Sequence, residues 1–241
     1  MGIRERQERE KDATRRAILD AARALFVQEG FANISIRRIA ERVEYSPAAI
    51  YTYFPSKDEI LCALAQEGFE LLGAHRSRRG LDQLEPLDAI RAVFRRLYQF
   101  SKDQPEYFAL MFFERSIPRL AREHPHFEEI LEQRRKLMAV LDRCADGKLF
   151  PASVSSLAIF RVVSMGLFGV IALRLAGRLL DRVADRLAAD TVEAAIAGLR
   201  AGSHVSYRAD LDATFSRPLT LRRLEPPIRG TARTRVRDQV R

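Results

Sequence analysis

"SIRRIAERVEYSPAAIYTYFPSKDEIL", residues 35–61, holds two short helices and the start of a third. Ser35 is placed to cap the first, in which Ile36, Ile39, Ala40 and Val43 share one face. Ser46 caps the second, and Pro47 takes the first helical position, where a missing N–H costs nothing. Pro55 ends that helix, and Ser56 with Glu59 forms a capping box that opens the next. Three aromatics in four positions would be odd in a helix with one partner. Ile50 and Phe54, four apart, belong to a buried face toward Ile39, Ala40 and Val43, whereas Tyr51 and Thr52 point away, one turn beyond Ala48. The cluster is dense because its two faces serve different partners.

Upstream, "TRRAILDAARALFVQEG" (14–30) sets Ile18, Ala22, Leu25 and Phe26 in one apolar stripe that Gly30 stops. Residues 13–54 therefore make three short helices, the last two forming a helix-turn-helix whose second member suits a DNA major groove. Ala48 and Ala49 are small enough for the backbone to approach base edges. Tyr51 and Tyr53 carry hydroxyls for phosphates and rings for sugars or a thymine methyl. Ser46 and Lys57 suit phosphates.

This stretch resembles the DNA-binding domain of the tetracycline-repressor (TetR) family of bacterial transcription regulators. The likeness runs from "ILDAARALFVQEGF" through "IYTYFPSKDEIL" to about residue 71, some sixty residues and a quarter of the chain. Carried over by position, the family's DNA contacts fall on Ser35, Arg37 or Arg38, Ser46, Pro47, Ala48, Ala49, Tyr51, Thr52, Tyr53 and Lys57. One departure is Glu44, where the family usually has glycine. A left-handed turn residue there costs about 1 kcal/mol. The resemblance implies an all-α protein in which a three-helix DNA-binding domain (11–71) precedes a larger effector-binding and dimerisation domain (72–202). It further implies a cytoplasmic homodimer that represses from a palindromic double-stranded DNA operator and is released by a small-molecule effector.

The remaining sequence agrees with an all-α chain. Amphipathic segments fall near 86–103, 105–116, 125–145, 151–178 and 183–202, with Pro86, Pro105, Pro125 and Pro151 near their starts. Phe94, Tyr98, Phe108, Met111 and Phe112 are the candidates to line an apolar effector cavity. "SLAIFRVVSMGLFGVIALRLAG" carries Ser164, Gly166, Gly169 and Ala172 along a large-apolar helix. Glycine inside a helix costs roughly 1 kcal/mol, so close helix packing is expected there. Residues 151–178 and 183–202 become the candidate dimer interface, with Leu167, Phe168, Ile171, Leu187, Val192, Ile196 and Leu199 supplying apolar area.

Composition bounds the alternatives. The chain has 241 residues, 47% hydrophobic and 30% charged, as in ordinary soluble proteins. Of the formal charge of +9, residues 203–241 carry +5, from nine arginines against four acids, and this stretch has the look of a disordered basic tail. A basic balance suits a polyanionic partner. The N-terminus has no secretory pattern, and the apolar run 162–173 is too short to span a bilayer, so no membrane partner is expected. Cys62 and Cys144 are expected as buried thiols, and His124 with His126 as a helix start rather than a metal site. No cofactor, metal site or catalytic pattern emerges, which argues against an enzyme. A constitutive nucleic-acid-binding protein stays open as the alternative.

Overall fold

A helix forms here wherever an apolar stripe meets a capping residue. The computed structural model describes residues 2–30, 33–76, 80–114, 116–117, 120, 128–146 and 149–202, and all its regular elements there are helical. The helices are α1 (Ile3–Glu29), α2 (Ile36–Arg42), α3 (Pro47–Tyr53), α4 (Lys57–Arg76), α5 (Pro86–Asp103), α6 (Pro105–Phe113), α7 (Glu128–Asp146), α8 (Ser156–Leu175) and α9 (Asp181–Arg200). A 3₁₀ turn at Leu81–Gln83 precedes α5. The expected tail, 203–241, and the His124–Pro125–His126 stretch lie outside the described residues.

The caps fall where the sequence places them. Ser35 Oγ accepts from Arg38 N at 3.3 Å, Ser46 Oγ from Ala49 N at 3.1 Å and Ser56 Oγ from Glu59 N at 3.2 Å. α1 differs: it starts at Ile3, well before Ile18, the first residue of the apolar stripe. Residues 4–13 are solvent-exposed, so no apolar period marks them. Their helix is supported locally by Gly2 N donating to Glu5 Oε2 and by the Arg6–Glu10 ion pair, one turn apart. α8 also begins later than expected. Ser155 caps it through Ala158 N, and Pro151 lies in the turn before, its carbonyl accepting from Val154 N.

The three N-terminal helices close over Ile18, Ala22, Leu25, Ile39, Ala40 and Ile50, all buried. α4 carries Ile60, Leu61, Leu64 and Ala65 into the same core and continues onward to pack on α6. The expected boundary between residues 71 and 72 falls inside α4, so one unbroken helix passes from the first unit into the second. α5 buries Ile90, Val93, Phe94, Leu97 and Phe100, and α7 presents Leu137, Val140, Leu141 and Cys144 on one stripe. α8 and α9 form the most extensive helix pair. Polar ties frame this half. Arg91 forks onto Glu193 (2.7 and 2.9 Å), and Tyr98 Oη and Lys102 Nζ both donate to Asp185 at 2.8 Å. Arg174 donates to the Ser101 carbonyl near the end of α5.

Among the described residues, one side of α8 is left exposed at Met165, Gly169, Ala172 and Leu173. The helix is long and apolar enough to cross a bilayer, with mean hydropathy 2.1, yet only a third of it is buried. Its two glycines differ in setting. A methyl group at Gly166 would meet Thr191 Cγ2 of α9 at 2.6 Å, so that glycine permits packing inside the chain, whereas Gly169 faces open space.

Glu44, in the turn between α2 and α3, has φ 59°, the left-handed backbone that favours glycine. Glu44→Gly should raise stability by about 1 kcal/mol in chemical denaturation. A loss of stability would show that the glutamate side chain contributes more than the backbone strain costs.

Candidate nucleic-acid interface

The helix-turn-helix sorts the side chains of α3 into two sets. Ile50 is fully buried and Phe54, the residue closing the helix, is 2% exposed, with the Arg15 guanidinium 4.8 Å above its ring. Tyr51 is 53% exposed and Thr52 is exposed, its hydroxyl donating to Ala49 O at 2.7 Å. Ser46, Pro47 and Ala48 are exposed as well, Ala49 is half-buried, and Tyr53 is half-buried against the core. Tyr51 and Phe54 thus occupy the faces the sequence assigns them.

On α2, Ser35, Arg37 and Arg38 are exposed. Ser35 spends its hydroxyl on the cap. Arg37 pairs with Glu41 one turn on at 3.1 Å, both side chains well exposed, and such a pair is worth little in water. Arg38 is tied more firmly to Glu29 at the end of α1, at 2.6 Å. Arg37 is therefore the cation more easily redirected to a phosphate. Lys57, at the start of α4, donates to Ile34 O at 3.0 Å and is half-buried, which makes it a link to the α2 entry as much as a surface charge.

Tyr45 is a residue that sequence reasoning misses. It follows the strained Glu44, is exposed, and its hydroxyl lies 3.4 Å from that of Thr14 on α1. The available signal was its place immediately before the Ser46 cap, beside the helix that presents Tyr51.

The five residues expected to line one cavity fall into three settings. Phe94 and Tyr98 line a cleft of about 130 Å³ with Leu167 of α8 and Asp185, Ala188 and Val192 of α9. Burial, and donation to Asp185, push the Tyr98 hydroxyl well above the ordinary phenol range. Lys102 and Tyr98, both donating, hold the Asp185 carboxyl below its usual range. Phe108 and Phe112 instead join an aromatic cluster with Phe168 of α8, ring centroids 4.7–5.6 Å apart, and Phe69 of α4 abuts Phe112 at 6.0 Å. Met111 is buried over Gly68 of α4: a methyl group there would sit 2.5 Å from Met111 Sδ. Sequence proximity on α5 and α6 could not reveal that α8 and α9 divide these residues.

The candidate dimer residues need a similar correction. Leu167, Ile171, Val192, Ile196 and Leu199 are buried within one chain, and Phe168 belongs to the aromatic cluster. Those residues hold α8 and α9 to their own core. Leu187 is exposed, and the outward apolar residues are Met165, Leu173 and Val183.

This three-helix unit, joined through α4 to a larger helical body, has the arrangement of a helix-turn-helix DNA-binding domain. Residues 18–64 match the family described as bacterial regulatory proteins, tetR family, and residues 90–199 match the tetracyclin repressor-like C-terminal domain. The chain belongs to the tetR family. It is 41% identical over 69 residues to the HTH-type transcriptional repressor Rv1474c of Mycobacterium tuberculosis, covering 29% of this chain and 37% of that one. It is 31% identical over 155 residues to the nucleoid occlusion factor SlmA of Vibrio campbellii, covering 61% of this chain and 78% of that protein. The chain spans about half the length, or less, of the curated repressors it matches, from 37% to 50%. The fold superposes on the ketosteroid transcriptional regulator KstR2 of Mycobacterium tuberculosis with TM-score 0.59 and 18% identity, over 77% of this chain and 94% of the other.

Tyr51→Ala should weaken binding to a cognate DNA fragment by about 1–3 kcal/mol while melting hardly changes. Phe54→Ala should do the reverse, costing roughly 3–5 kcal/mol of stability as a buried aromatic. Tyr51→Ala protein that melts early yet binds DNA normally would remove Tyr51 from the interface.

Proposed function

We propose that this protein is a cytoplasmic transcriptional repressor that binds a palindromic operator as a homodimer and is released by a small, mostly apolar effector. The observation that carries the reading is the division of α3, with Ile50 and Phe54 buried while Ala48, Tyr51 and Thr52 are left outward. Ser35, Arg37, Arg38, Ser46, Pro47, Ala49, Tyr53 and Lys57 complete the interface in this reading, and Tyr45 joins them as a phosphate contact. Residues 11–71 act as the DNA-binding part and 72–202 as the effector-binding and dimerisation part.

A dimer follows from specificity and from the uncovered face of α8. One seven-residue recognition helix reads only a few base pairs, so two copies on a twofold axis are needed for a useful site. An apolar helix only a third buried, flanked on α9 by Val183 and Leu187, suits a second copy of the same pair and hence a four-helix bundle. The Phe94–Tyr98 cleft and the Phe108–Phe112 cluster are the places for the effector, and their contacts with α8 and α9 put it beside the proposed interface.

A second reading has one observation in its favour. One relative, matched over 78% of its own length, is a nucleoid occlusion factor, and a DNA-binding protein with no small-molecule release would fit that likeness. Selecting bound fragments from genomic DNA separates the two. A few promoter-proximal palindromes support the repressor, whereas many sites scattered without regard to promoters support the alternative.

Gly169→Arg tests the dimer. The side chain enters open space in a single chain, so the fold should hold. The variant should sediment as a monomer and bind operator at least about tenfold more weakly, with α3 untouched. A dimeric variant with normal DNA affinity would place the interface elsewhere.

A further inference from the structure

Between α1, α4 and α6 lies a second cleft, of about 200 Å³, lined by none of the residues assigned to effector or DNA, although its Phe113 ring packs on Phe108 and Phe168 of the aromatic cluster. Its walls are apolar and unusually exposed: Val27 of α1 is 55% exposed and Phe113 of α6 is 42% exposed, with Phe26 also in the lining. Its charged lining is Arg23, Glu106 and Glu114. Arg23 is already committed. It pairs with Glu106 at 3.2 Å and with Asp20 at 3.4 Å, and its guanidinium lies 5.1 Å over the Tyr107 ring. Glu114 Oε1 accepts from Ser116 N at 3.0 Å. Two carboxylates against one engaged guanidinium leave the lining with an excess negative charge beside aromatic faces. That combination recognises a cation carried on an apolar body.

We propose that this cleft binds a small amphipathic amine, an ammonium or quaternary nitrogen on an aromatic or branched apolar group, and that binding loosens the DNA-binding helices. The ammonium competes with Arg23 for Glu106, leaving Arg23 to Asp20 on its own helix. The apolar group lies between Val27 and Phe113. Arg23 links α1 to α6 through both an ion pair and a ring contact, so drawing Glu106 away from it weakens one of the ties between α1 and the body, beside the Arg16–Glu67 pair and the buried face of α1 that remain. A less preorganised pair of helices binds operator more weakly. The effect on DNA rests on the repressor reading, whereas binding of the amine does not.

The test uses the full chain with 2-phenylethylamine, and with 2-phenylethanol as a neutral probe of similar shape. In titrations followed by NMR, the amine should shift the Val27 methyl and Phe113 ring resonances with millimolar affinity, and the alcohol should bind about tenfold more weakly. Glu106→Gln combined with Glu114→Gln should erase that difference, and Phe113→Ala should weaken both probes. Equal binding of amine and alcohol, or unchanged amine binding in these variants, would overturn the site. Saturating amine should then reduce operator affinity about threefold in the wild type, but not in Arg23→Met, whose bridge is already absent. Amine bound in the cleft with operator affinity unchanged would overturn the regulatory half. Failure to find any operator would count against the repressor reading and leave the titration result standing.

Discussion

Ile50 is the buried residue within α3, and the placement of the recognition helix depends on it and on Phe54 just beyond. A seven-residue helix has no stability of its own in water, because nucleation costs more than so few hydrogen bonds return. It also cannot bury more of itself without losing the face it offers to DNA. The supports are therefore concentrated at its ends. Ser46 and Pro47 fix its entry, and the Arg15 guanidinium covers Phe54 at its exit. The short α2 follows the same economy, with Ser35 at its start and Ile36, Ile39 and Ala40 beneath.

What holds this unit to the rest of the chain is α4. It begins under α3 with Ile60 and Leu61 and ends against α6, where Gly68 lets Met111 and Tyr107 come closer than any side chain at that position would permit. Arg16 adds ion pairs to Asp20 and to Glu67 of α4, both at 2.6 Å. These groups are partly exposed, so each pair contributes at most about 1 kcal/mol, and steric fit at Gly68 dominates the joint. The Tyr107 hydroxyl is buried there between Arg16 and Glu67, and burial pushes its ionisation above the ordinary phenol range.

The sequence makes legible those elements whose determinants are local. Ser35, Ser46, Ser56 and Pro47 mark helix starts because a cap needs only a side chain and an N–H three residues away. The sorting of Ile50 and Phe54 from Tyr51 follows from 3.6-residue periodicity and a known neighbour, α2. Periodicity is silent about Arg4–Ala13, since a helix segment exposed on every side has no apolar stripe to reveal it. It is equally silent about which apolar residues of α8 meet their own chain. Leu167 and Met165 are both large and apolar, and only the position of α9 makes one core and the other surface. The aromatic residues of α5 and α6 were separated for the same reason: their partners are more than fifty residues away along the chain.

The outward residues of α8 and α9 also bound the strength of the proposed dimer. Met165, Leu173, Val183 and Leu187 are 39–54% exposed, so covering what remains of them would contribute roughly 1 kcal/mol each. Four from each subunit give on the order of 10 kcal/mol before costs, against roughly 4–15 kcal/mol for lost translational and rotational freedom. The two sides nearly balance, and Gly169 bears on how much of the gross value is realised, because close approach of two copies of α8 is what would exclude water from Met165 and Leu173. A dimer of modest strength is stabilised further by a palindrome that engages both recognition helices at once, since the second contact is then intramolecular. In the proposed dimer, subunit association and operator binding would be linked equilibria, and packing at Gly169 would act on DNA affinity through residues that never touch DNA.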